Sequence, residues 1–147
     1  VANPDSPNGL TPWGDYQAFT LTAGGTMAKG DAFTAASGVC TVYVEGSGNF
    51  VYGVALNDTT SGESFEACID PNAIFEVQCS GTYAATTDDL TTCDIEGGTG
   101  EMEANENATV NNTLLILGLS PSQGNAAGAN ARVLVKIVKN AQAGVHN

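Results

Sequence analysis

From Tyr16 to Val138, apolar residues recur at alternate positions in short runs, and Gly, Asn, Asp or Pro ends each run. A period of two marks strands that bury one face. An amphipathic helix instead spaces its apolar positions three and four apart. Phe19 and Leu21 share one face of a first strand. Val39–Val44 alternates, Gly46-Ser47-Gly48-Asn49 reads as a turn, and Phe50–Leu56 returns, so this pair is expected as a hairpin. Phe65, Ala67 and Ile69 form the next set, broken at Asp70-Pro71-Asn72. Phe75, Val77 and Cys79 then alternate with Glu76 and Gln78. Gly53, inside an apolar run, marks a bulge or a close backbone approach. The two most apolar strands, Thr113–Leu119 and Ala131–Val138, are joined by the Pro-, Gly- and Asn-rich connector Ser120–Asn130. Thr (16), Gly (18) and Asn (13) supply 47 of 147 residues, a strand-and-turn vocabulary. The expected fold is all-β: a small barrel or sandwich of short antiparallel strands.

Two stretches fall outside this pattern. Residues 1–15 carry Pro4, Pro7 and Pro12 around Trp13, which rules out a helix or a central strand. They read as an extended N-terminal arm, either a free tail or a segment that docks on a neighbour with Trp13 as anchor. Residues 85–112 are polar and acidic and are expected as a long loop, with one helical turn near Thr87–Cys93. The organisation expected is an arm (1–15), one β-rich domain (16–140) and a flexible C-terminal tail (141–147).

Charge narrows the function. Four Lys and Arg stand against 16 Asp and Glu, a net of -12. Phosphate recognition needs a basic face, so nucleic acid is not an expected partner, and an anionic membrane surface is disfavoured likewise. No run approaches the roughly 18 apolar residues of a membrane span. Residues 1–10 hold no basic region and no apolar stretch of the kind a signal peptide needs. Val, Leu, Ile and Phe make up only 31 residues, a thin core that favours help from neighbouring subunits.

Chemistry is sparse. The single histidine, His146, is next to last, which leaves no Ser-His or Cys-His dyad within the domain, and no enzyme activity is expected. The acids between Asp88 and Asn107 lack a calcium-loop pattern and read as solubilising charge, so neither metal nor cofactor is expected. Three Asn-x-Thr sequons begin at Asn57, Asn107 and Asn111, as chance allows in so Asn- and Thr-rich a chain. Cys40, Cys68, Cys79 and Cys93 lack zinc-ligand spacing. Cys79 with Cys93 is the candidate disulfide, closing a short polar loop; the alternative is small apolar residues that stay reduced.

Six phrases, taken in order, carry a resemblance: AGGTMAKGD from Ala23, YGVALNDTTSGE from Tyr52, IFEVQCSGTYAATTDDL from Ile74, CDIEGGTGEME from Cys93, LLILGLSPSQGN from Leu114 and ANARVLVKIVKN from Ala129. The chain resembles the small capsid decoration (head-stabilising, or cement) proteins of tailed bacteriophages, of the type found in phages of marine bacteria and cyanobacteria. The arm and the last seven residues lie outside the resemblance, and the four cysteines depart from it. It implies a β-rich virion protein without enzyme activity, bound in many copies to the outer surface of an icosahedral shell, with the major capsid protein as partner and self-association as a dimer or trimer. For shell contact the candidate residues are Pro7, Leu10, Pro12 and Trp13, with the apolar edges of the last strands serving between copies.

Two other classes fit the composition. One is a subunit of a bacterial or archaeal extracellular filament or surface layer, polymerising through donated N-terminal strands; an upstream signal peptide would favour it. The other is a carbohydrate-binding adhesion module, which usually shows several exposed aromatics on one face.

Overall fold

The computed structural model describes residues 3–45 and 50–139. In chain order its strands are β1 (Thr11–Trp13), β2 (Ala18–Thr22), β3 (Ala32–Ala36), β4 (Val39–Val42), β5 (Gly53–Ala55), β6 (Ser64–Cys68), β7 (Ile74–Gln78), β8 (Thr82–Tyr83), β9 (Thr92–Glu96), β10 (Glu103–Asn105), β11 (Leu114–Leu119), β12 (Gly128–Ala129) and β13 (Arg132–Ile137). One helical turn, α1 (Ala85–Asp88), lies between β8 and β9. The chain is nearly all-β and its strands pair antiparallel.

A six-stranded sheet runs β1-β7-β13-β11-β9-β10 and a five-stranded sheet runs β2-β6-β5-β3-β4; β8 and β12 form a small third sheet. Both large sheets roll. β10 swings back to the end of β7, where Ala104 bridges Cys79 and the Ser80 N–H donates to the Ala104 carbonyl at 2.9 Å. In the other sheet Ala23, just past β2, bridges Cys40 on β4. A single bridge is not a ladder, so neither roll closes into a barrel and the architecture is sandwich-like.

Two cores follow from the two rolls. Phe75, Val77, Ile95, Leu114, Ile116, Val133 and Val135 fill the first, together with Ala32, Val54 and Cys68 from one face of the five-stranded sheet. The opposite face of that sheet holds the second core, where Phe33 meets Phe65 edge-on at 5.5 Å, beside Met27, Ala55 and Ala67. β5 is buried at every residue because it lies between them. Gly53 satisfies a close approach: a Cβ there would lie 2.4 Å from the Cys68 carbonyl oxygen.

The structure revises several expectations. β4 pairs with β3, and β5 pairs with β3 and β6, so the expected hairpin between Val39–Val44 and Phe50–Leu56 does not form; its turn, 46–49, lies outside the described residues. The helical turn, Ala85–Asp88, begins two residues before the expected Thr87–Cys93 and overlaps it at Thr87 and Asp88. The acidic stretch 85–112 contains β9 and β10 rather than one loop, because Cys93, Ile95, Met102 and Ala104 are sparse but all reach the first core. Of the stretch expected as an arm, residues 11–13 form β1, an edge strand beside β7 of the domain's own sheet. The expected tail 141–147 lies outside the described residues.

Candidate functional site: the outer face of the six-stranded sheet

The four candidate contact residues divide. Leu10 is 1% exposed within the first core, and its N–H donates to the Gly30 carbonyl at 2.8 Å, so it is not available to a partner. The chain passes so close there that a Cβ on Gly9 would lie 2.5 Å from the Gly30 oxygen. Pro7 is half-buried, as is Pro12, which stands opposite Phe75 on the core side of β1. Trp13 lies on the other side and is 39% exposed.

Two residues that sequence reasoning missed fasten the segment before Leu10. The Asn3 amide donates to the Ala126 and Ala129 carbonyls at 2.7 and 2.9 Å and accepts from the Ala126 N–H. Buried Gln78 accepts from the Ser6 N–H at 2.8 Å and donates to both Asp5 (2.9 Å) and Glu103 (2.6 Å). Burial raises the Glu103 carboxyl above its ordinary value; the Gln78 bond opposes that rise, and the charges of Asp5, Glu96 and Glu106 add to it. No local spacing signals these two amides, because their partners are distant in sequence.

Pleating sets what the outer face shows. Along β13, Val133, Val135 and Ile137 point to the core, which turns Arg132, Leu134 and Lys136 outward. Register then aligns the neighbours. Trp13 stands opposite Ile74, Ile74 opposite Lys136, Lys136 opposite Leu115, and Leu115 opposite Thr92. One row thus crosses β1, β7, β13, β11 and β9. Ile74, Leu115 and Leu134 are half-buried and belong to neither core. Trp13 and the last two strands, which the sequence reading assigned to separate contacts, share this single face.

Its charge differs from that of the rest of the chain. Arg132, Lys136 and Lys139, three of the chain's four cations, lie on or just after β13, in a chain with 16 acids. Arg132 Nε is 3.8 Å from Glu76 Oε1, the only ion pair among the described residues. Glu76 also accepts the hydroxyls of Ser120 and Ser122. Lys136 has no carboxylate at ion-pair distance among the described residues.

Two buried acids serve the fold. Buried Asp94 accepts the N–H groups of Val110, Asn111 and Asn112 at 3.1, 2.8 and 2.8 Å. Buried Asp31 accepts from Ala28 and Gly100, both at 2.8 Å. No group of three or more His, Cys, Asp or Glu is arranged to hold a metal ion among the described residues. A polar depression of about 470 Å³ is lined by Asn8, Thr11, Lys29, Asp58 and Gly100. All four cysteines are free and buried, so the candidate bridge between Cys79 and Cys93 is not formed. Both thiols belong to the first core, and they do not staple the rim of a polar loop. Burial and nearby carboxylates push the Cys93 thiol up to about 12 and raise the Cys79 thiol further.

The chain matches no known family model, and no curated protein is significantly similar to it.

Proposed function

We propose that this protein is a structural subunit that coats a protein shell, binding its outer surface in many copies and stabilising it, in the manner of a phage decoration protein. One observation carries the reading: Trp13 and the last two strands form a single apolar face with an embedded cation on an otherwise acidic molecule. Apolar faces of this kind, rimmed by polar groups, mark protein contacts more often than chemistry. The mechanism is linkage. A subunit that binds the assembled shell and not its dissociated parts shifts the equilibrium toward the shell. A net of -12 keeps copies soluble and away from packaged nucleic acid. The filament alternative calls for a donated N-terminal strand, whereas β1 pairs with β7 of its own chain.

The test is quantitative mass spectrometry of purified particles from the source, comparing copies of this chain with the major shell protein. A fixed small-integer ratio is the expected result. Absence from particles, with recovery in sheared cell-surface material, transfers the assignment to the filament class. Removing residues 1–14 is a poor test of docking, because it also removes Leu10 from the core.

A further inference from the structure

Resting on the coat reading, we infer that the outer face is completed by a carboxylate from the shell protein, seated on Lys136 at the centre of an aliphatic contact. The position of Lys136 carries this. It is not at the rim of the row: Ile74 stands opposite it on β7 and Leu115 on β11, with Trp13 beyond Ile74. A body that covers Trp13, Ile74 and Leu115 therefore also covers the Lys136 stem and takes water from its ammonium. A dehydrated ammonium without a counter-ion is costly enough to prevent the contact.

Among the described residues no carboxylate lies at ion-pair distance from Lys136, and Asp94, the outward acid beside Thr92, is occupied by the N–H groups of Val110, Asn111 and Asn112. Glu76, the outward acid of β7, is held by Arg132, Ser120 and Ser122. The occupant must supply the carboxylate itself, on a surface otherwise aliphatic enough to cover Ile74, Leu115 and Leu134. A second copy laid face to face supplies another Lys136 in place of an acid and brings two chains of net -12 together. Nucleic acid and anionic lipid offer anions, but the 16 acids of the chain repel them and neither matches an aliphatic row. The occupant that fits is a protein surface with an acid set among aliphatic side chains.

The experiment measures rebinding of purified protein to particles stripped of it, using the wild type and Lys136→Met, Lys136→Arg and Leu115→Ser. Circular dichroism confirms that each variant is folded, as expected for outward-facing positions. Lys136→Met keeps the aliphatic stem and removes the charge; it is expected to weaken binding about tenfold, with Lys136→Arg close to wild type. Binding weakened by Leu115→Ser but not by Lys136→Met overturns the carboxylate while keeping the face. Binding unchanged in all three variants overturns the face while leaving the coat reading intact. Failure of the wild type to rebind removes the coat reading itself. Lys136-dependent self-association of the wild type without particles makes a second copy the occupant and overturns the inference.

Discussion

Trp13 and Lys136 flank Ile74 from opposite sides, one on β1 and the other on β13. Two strand spacings separate their backbones, roughly 10 Å, so a single partner side chain over Ile74 touches both. Trp13 is more than a third exposed and lies on a three-residue edge strand, so it contributes little to the fold. Trp13→Ala is expected to lower unfolding free energy by about 1 kcal/mol but to cost about 2 kcal/mol or more in particle binding. Urea unfolding and a particle-binding isotherm measure the two effects. Undiminished binding by the folded variant would remove Trp13 from the contact.

Gln78 fastens the N-terminal segment by a different logic. Its one buried amide binds exposed Ser6 and Asp5 and half-buried Glu103 at once. Gln78→Leu keeps the approximate volume and removes all three bonds; water can reach exposed Ser6 and Asp5, so the expected loss is about 2 kcal/mol. Asp5→Asn should act in the opposite direction at neutral pH, since it removes a charge facing Glu103 while keeping an acceptor oxygen. Hydrogen exchange at the Ser6 amide is the direct readout. It should quicken in Gln78→Leu and not in Asp5→Asn, and an unchanged rate in both would show that the amide does not hold the segment.

Glu103 and Asp31 give the acid side of the stability profile a definite sign. Burial is the leading cause of the raised value of each carboxyl. A raised folded value means that the native state holds a proton that the unfolded chain has already released. Stability therefore falls as pH rises from the ordinary carboxyl values, 3.8 and 4.5, through the folded ones. The lowered value of Glu63 works the other way, but below 4.5. Lowering the pH from 7 toward the ordinary value of 4.5 should accordingly raise the urea midpoint, and Glu103→Gln should flatten that rise. A midpoint that drops steadily over this window would contradict the assignment.

Much of this was legible before the fold was known, and the gaps have physical causes. Phe65 with Ala67, Phe75 with Val77, and Val133 with Val135 were readable because alternation maps directly onto one buried face. β9 and β10 were not, because Asp94 and Glu106 look like solvated charge while being buried acceptors of backbone N–H groups. The partners of β4 and β5 were missed because alternation fixes which face is buried and not which strand lies alongside. For the candidate face, Trp13 and the last strands were both singled out from the sequence. Only register could place them in one row with Lys136 at its centre.

The four thiols begin the alkaline loss of stability. Burial is the leading cause that raises each of them above the ordinary value of 9.0, with Cys93 at about 12. Here too the native state keeps protons that the unfolded chain gives up. Stability falls as pH rises above about 9, where the unfolded thiols ionise while the native ones hold their protons, and the raised hydroxyls of Tyr43 and Tyr83 add to the fall above 10. Replacing Cys79 and Cys93 by Ala should shallow this slope, at the cost of two small cavities that lower stability at every pH. The same burial predicts the labelling pattern. Under native conditions iodoacetamide should leave the intact mass unchanged for hours, and in urea it should add four groups without prior reduction. Two groups in urea without reductant, rising to four with it, would show instead that one pair is bridged.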